Sequence, residues 1–257
     1  MLASRIIPTL LCRGRQLVKG SQFKSWRSVG VAMQAAKVHA LRGVDELIIL
    51  DIGATPEGRG PDLDLVRELS EYCFTPLTVG GGVRTVDDVN DLLRAGADKV
   101  AVGAASQRRP SFIADCHDRF GCQAIVVSID VLNNTVASRS GALHYQHDGG
   151  FIPPKEWAVG VEELGGGEIL LTSIDREGMM SGYDLDLIKA VSEAVKIPVI
   201  AHGGCGSYQH MLEAINAGAS AVAAGAMFQF TDQTPKGAAE YLQQHGVEVR
   251  LETSVHS

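Results

Sequence analysis

The chain has 257 residues, 45% of them hydrophobic, 21% charged and only 5% aromatic, which excludes a mainly disordered chain or a fibrous repeat. A formal net charge of −7 speaks against a general nucleic-acid binder. It leaves room for a phosphorylated small molecule, because helix N-termini hold phosphate without a basic surface.

In chain order, apolar runs of strand length fall at 5–11 (RIIPTLL), 46–51, 76–80, 98–103, 123–130 (QAIVVSID), 168–173, 197–202 and 220–225. Helix-period segments lie between them, at about 31–42, 62–73, 85–95, 109–120, 155–165, 184–195, 207–217 and 235–245. Eight such units predict a single (β/α)8 TIM barrel over 1–257, since a doubly wound sheet stops at fewer strands. A polar insert at 12–30 follows strand 1, and a second insert at 131–153, expected to be a small hairpin, follows strand 5. Both fall on the C-terminal face, where barrel active sites are built.

No window holds the ~20 apolar residues of a membrane span. Arg5 interrupts the first apolar run and no cleavage-like site follows, so no leader is expected. Cys12, Cys73, Cys116, Cys122 and Cys205 lack metal-site spacing. Reduced thiols, a cytoplasmic protein, no metal and no cofactor are the expectation.

The segment 75–106 repeats at 197–228 with a constant offset of 122 residues: Pro76 falls on Pro198, Gly81 and Gly82 on Gly203 and Gly204, and Gly103 on Gly225. The barrel therefore reads as two half-barrels, about 1–122 and 123–245. Each glycine turn follows a strand and opens a helix, with Thr85 and Ser207 placed as N-caps. Such turns let backbone N–H groups approach an anion, although tight βα turns need glycine in any case. Two matched turns favour a ligand with phosphates at both ends.

Asp130 ends strand 5, where a carboxylate points into the barrel mouth as a candidate acid or base. Asp51 ends strand 2, and Asp175 and Glu177 follow strand 6; these are site residues or loop carboxylates. Together with Lys19 of the first insert and Gly178, Asp51 and Glu177 make up the candidate ligand set. Strand 1 offers Leu11 where a matching carboxylate belongs. Cys12 and His202 are candidate nucleophile or proton carriers, and the sequence identifies no partner for either. At the opposite pole Arg5, Glu46, Lys99 and Glu168 start strands 1, 2, 4 and 6. Charge balance alone favours a salt-bridge plug there over a gate.

The motifs MLASRII, VDELIILDI, TVGGGVRT, AGADKV, QAIVVSID, GGGEILLTSIDREG, SGYDLDLI and HGVEVRLE run nearly end to end. Through them the chain resembles the cyclase subunit family of imidazole glycerol phosphate synthase (HisF-like). The resemblance implies a glutaminase partner (HisH-like) at the N-terminal barrel face. It also implies that ammonia enters through a four-charge gate, Arg5, Glu46, Lys99 and Glu168, and meets a phosphorylated ligand at the C-terminal face. That reverses the preference for a plug. The family's first catalytic aspartate falls on Leu11, and only Asp130 remains of the pair. Other mouth positions also depart from the family: Gly103-Ala104 stands for Asn-Thr, Glu177-Gly178-Met179 for Asp-Gly-Thr, and His202 and Ala226 each for Ser.

RIIPTLL and QFKSWRSVG resemble more closely a cyclase-like branch found in amidotransferase systems for lipopolysaccharide and related surface sugars. There a third, ATP-using protein amidates the sugar. The expectation is an ammonia-conducting synthase subunit whose standing as an enzyme in itself is open. The alternatives are a histidine-biosynthesis cyclase (a lyase) and a sugar-phosphate isomerase of the related barrel family. No nucleic-acid or membrane partner is expected.

Overall fold

A computed structural model describes residues 3–138, 143–144, 146–147 and 150–250. Eight parallel strands form the barrel: β1 (Arg5–Arg13), β2 (Leu47–Asp51), β3 (Leu77–Gly80), β4 (Lys99–Val102), β5 (Ile125–Leu132), β6 (Glu168–Ser173), β7 (Val199–His202) and β8 (Ala221–Ala224). Each pairs with the next in chain order, and β8 pairs with β1, so the ring closes and leaves no barrel edge. The outer helices are α1 (Ala32–Leu41), α2 (Leu63–Tyr72), α3 (Val86–Arg94), α4 (Ser111–Phe120), α5 (Pro154–Glu163), α6 (Leu185–Ser192), α7 (Tyr208–Asn216) and α8 (Pro235–Gln244). This is the (β/α)8 barrel that the alternation predicts. Two further helices, Ala104–Arg108 and Ala226–Phe230, follow β4 and β8. At five residues each they are too short to leave a period in the sequence.

The strands are apolar on both faces because both faces are covered. On β1, Ile6 and Leu10 pack against the helices, while Ile7 joins Ile48, Val126, Leu170 and Ile200 in a separate cluster along the barrel axis. Ala101, Ala221 and Ala223 keep that inner layer narrow in side-chain volume.

The repeat is visible as contacts. Asp62 and Asp184, and Thr85 and Ser207, cap α2, α6, α3 and α7 in the same way, each accepting from a backbone N–H three residues on. Ser70 Oγ and Ser192 Oγ donate to the Ala95 and Ala217 carbonyls at 3.3 and 3.2 Å. Gly81 lies against the Asp51 carbonyl and Gly203 against that of Ser173, with no space for a Cβ in either place. All these pairs are 122 residues apart.

The first insert, which the sequence marks only as polar, has regular structure. After β1 the chain forms an antiparallel hairpin, Gln16–Ser21 with Lys24–Val31. Its second strand is exposed along most of its length and so carries no apolar alternation to betray it. Gln22, Phe23 and Ser25 at the tip adopt left-handed φ of 52°, 58° and 55°, unusual for residues with a Cβ. The tip is tied across the mouth to the loop after β6. Gln22 donates from its backbone N–H to the Glu177 carbonyl and from Nε2 to that of Asp175, both at 2.9 Å.

The second insert is a hairpin as expected: β5 turns at Asn133-Asn134, both left-handed, into Thr135–Ser138. Leu143–His144 adds a further strand, and Gln146–His147 pairs with Gly150–Phe151. Residues 139–142, 145 and 148–149 of that insert lie outside the described residues. Among the described residues, no helix is long and apolar enough to cross a membrane.

Candidate functional site

At the N-terminal end of the barrel the four predicted charges converge into one ring. Arg5 Nη1 lies 2.8 Å from Glu46 Oε2, and Arg5 Nη2 lies 2.9 Å from Glu168 Oε2. Lys99 Nζ sits 3.0 Å from Glu46 Oε2 and 2.9 Å from Glu168 Oε1. Thr78 Oγ1 donates to the remaining Glu46 oxygen at 2.6 Å. Glu46 is only 2% exposed, so the ring is largely out of water. Burial opposes ionisation of Glu168, but Arg5 and Lys99 outweigh it and hold the carboxyl below its ordinary value. For Arg5 too, burial works against the charge, and Glu168 and Glu46 reverse it. On the same end, Leu41 and Phe74 are 89% and 94% exposed. With Tyr72 they border a hollow that reaches Asp45, the neighbour of Glu46.

At the C-terminal end lies a cavity of about 100 Å3, lined by Leu11, Phe23, Asp51, Gly81, Gly82, Gly103, Ser128, Asp130, Thr172 and His202 among others. It reaches down to Ala101 of the inner layer. Asp130 opens onto this cavity but is otherwise enclosed by protein, and among the described residues no cation shifts its carboxyl. Burial pushes its carboxyl up to about 6, against hydrogen bonds from Ser128 and Thr172. Ser128 Oγ lies 3.4 Å from Asp130 Oδ1; being two residues back on β5, it shares the same strand face. Thr172 Oγ1 lies 3.2 Å from His202 Nδ1. Burial holds His202 down at about 4, so the ring is neutral at pH 7.

The other sequence candidates divide. Asp51 lines the cavity, but its carboxylate is committed elsewhere. Oδ1 accepts from the Gly53 and Ala54 N–H groups at 3.0 and 3.2 Å, and Oδ2 accepts from Gly14 N–H at 3.3 Å and Arg59 Nη1 at 3.1 Å. It organises the loops after β1 and β2 rather than offering a free base. Glu177, Gly178 and Lys19 do not line the cavity. Glu177 is 7% exposed beneath the hairpin tip and bonded to the Phe23 backbone, and its Oε2 has no hydrogen-bond partner among the described residues. Burial lifts this carboxyl to about 7, with Lys19 acting against the rise. Gly178 is left-handed at φ 72° and packs on the Gly20 carbonyl. Lys19 Nζ stands 4.7 Å above the Phe230 ring.

Of the paired glycines, Gly81, Gly82 and Gly103 face the cavity, whereas Gly203, Gly204 and Gly225 do not. Gly204 is wedged on the Gly182 carbonyl and Gly225 on that of Thr9. Asp175 accepts from the Asn133 N–H at 2.9 Å and joins the two insert regions. Cys12 belongs to the helix-side core, not the mouth. It donates to the Leu50 carbonyl at 3.5 Å, and burial, reinforced by Asp51, pushes the thiol up to about 12, so it is no nucleophile.

Sequence reasoning passed over Thr172 and Ser128, the two hydroxyls that touch Asp130. The available signal was a small hydroxyl on the inward face of an otherwise apolar strand, in VVSID and EILLTS. Among the described residues, no group of three or more His, Cys, Asp or Glu is placed to hold a metal ion. Compared with known proteins, residues 5–234 match the family model described as histidine biosynthesis protein.

Proposed function

The chain belongs to the histidine biosynthesis protein family, and on that premise we propose that it is a cyclase-like synthase subunit that receives and conducts ammonia. A glutaminase docks on the N-terminal barrel face and releases ammonia at the ring. A third, ATP-using protein uses it to amidate a surface sugar, and the setting is cytoplasmic.

One observation carries this proposal: two cations and two carboxylates close the barrel axis at one end, on narrow bonds of 2.8–3.0 Å. Arg5 reaches both carboxylates by itself. Lys99 can therefore swing aside while both anions keep a cation, and that opens the axis. Beyond the ring the inner layer is apolar, which admits neutral ammonia and rejects ammonium on desolvation grounds. The exposed Leu41, Tyr72 and Phe74 beside the ring supply an apolar surface for the glutaminase. At the mouth, Leu11 removes one member of the acid/base pair that the cyclase reaction needs. Gly82 and Gly103 still offer a place for a small phosphorylated ligand.

Two assays test the proposal. In the assembled complex, Lys99→Ala and Glu46→Ala are expected to alter glutamine-dependent ammonia transfer; unchanged transfer makes the ring a plug. The chain alone, given the phosphorylated imidazole-pathway substrate and saturating ammonium, is expected to be inactive, with Leu11→Asp for comparison. Turnover by the unmodified chain at roughly 1 s⁻¹ or more would establish the histidine-pathway cyclase instead.

A further inference from the structure

β5, β6 and β7 present Asp130, Thr172 and His202 side by side at the mouth, with Thr172 in register with Asp130 on one flank and His202 on the other. A threonine hydroxyl has one proton to give. Asp130, in register beside it on the neighbouring strand and lining the same cavity, only accepts as an anion, so that proton is assigned to its carboxylate. Toward His202 Nδ1, 3.2 Å away, the Thr172 oxygen must therefore accept. The imidazole proton is then on Nδ1, and Nε2 keeps its lone pair. Nε2 has no partner among the described residues, and His202 lines the cavity that Leu11 leaves without a carboxylate.

We propose that His202 is a general base of the mouth, oriented through Thr172 by Asp130, and that it occupies the acid/base role left vacant at Leu11. This goes beyond conduction, because it gives the chain proton chemistry of its own. The nucleophile, ammonia, rests on the proposed function; the tautomer does not.

The neutral imidazole does not strip free ammonium, since amines hold protons far more tightly, near pH 10, than His202, which burial holds down at about 4. It fits a step in which ammonia adds to a carbonyl carbon of a small mouth ligand. The nitrogen lone pair forms the C–N bond, and the C=O π pair moves onto oxygen. The nitrogen, now positive and acidic, passes a proton to Nε2, and the Asp130 carboxylate stabilises the imidazolium through Thr172. That proton then moves to the alkoxide oxygen, giving a neutral carbinolamine and restoring His202.

The full chain carrying ¹⁵N-labelled histidine tests this by NMR at pH 7.5, with the His202 signals assigned by their loss in His202→Gln. The expected spectrum shows Nδ1 protonated and Nε2 bare in the unmodified chain. Thr172→Val should abolish the preference and Thr172→Ser retain it, with the other histidine signals unmoved. An Nε2–H tautomer in the unmodified chain overturns the proposal, as does a valine variant identical to it. In the glutaminase complex, His202→Gln should lower ammonia incorporation by about 10²–10⁴ while glutamine hydrolysis continues; incorporation at the unmodified rate overturns the base role. Should conduction fail, the tautomer experiment on the chain alone still decides for or against His202.

Discussion

The floor and the mouth of this barrel both bury carboxylates, and they treat them in opposite ways. At the floor, Glu46 and Glu168 share Arg5 and Lys99, and a hydroxyl takes up the oxygen left over. Among the described residues, Asp130 at the mouth meets only hydroxyls, and Glu177 under the hairpin keeps an oxygen with no partner. The carboxyl shifts follow: Glu168 moves down, while Asp130 rises to about 6 and Glu177 to about 7. Burial alone thus brings a carboxyl toward neutrality, and burial beside cations fixes it as an anion. The floor is set in one charge state, whereas the mouth changes state within the range where cells live.

The sharpest way to break this contrast is at the floor. Glu46→Ala leaves Arg5 and Lys99 partly buried with one anion between them, and it should cost about 3–5 kcal/mol of stability in urea unfolding at pH 7. A loss below ~1 kcal/mol, the scale of an exposed pair, would mean that the ring is solvated.

Under the hairpin the sign reverses. Glu177 has a folded value of about 7 against an ordinary 4.5, so the stability tied to its protonated form is complete below 4.5 and lost as pH rises through 7. Glu177→Gln should therefore gain about 2–3 kcal/mol over the unmodified chain at pH 8 and nothing at pH 4. Asp130→Asn should behave alike over a lower window, 3.8 to about 6, with a gain of about 2 kcal/mol at pH 8. Equal unfolding curves at both pH values would show that these carboxyls are hydrated. The smallest effect concerns the floor's outer surface. Phe74→Asp should weaken glutaminase binding by about 1–2 kcal/mol, read by calorimetry, and change the chain's own stability by under ~0.5 kcal/mol.

Much of this was written in the residues. The alternation of apolar runs marked all eight strands within a few residues. Thr85 and Ser207 announced their helices because caps are local, and the four ring charges were legible because each sits at a strand start. What escaped depends on contacts between distant segments. Glu177 looks like any loop carboxylate until Phe23 folds over it. Thr172 becomes the partner of His202 only through the register of β6 and β7. The committed carboxylate of Asp51 depends on Gly14 and Arg59, from different loops. The hairpin Gln16–Ser21 and Lys24–Val31 escaped for a different reason, its polar outer strand.

The repeat, seen so far as agreement, also shows where its symmetry is broken. At the offset of 122, Gly80 faces His202 across the two halves, and Lys99 faces Ala221. Both cations of the floor, Arg5 and Lys99, come from the first half; Asp130, Thr172 and His202 all come from the second. A barrel assembled from two copies of the first half would lack Asp130, Thr172 and His202 at its mouth, leaving only the committed carboxylate of Asp51. One assembled from two copies of the second would have a floor of glutamates without a counter-charge. Each half keeps the other's scaffold and has given up the other's chemistry, so the two ends of the axis are united only in the mixed ring.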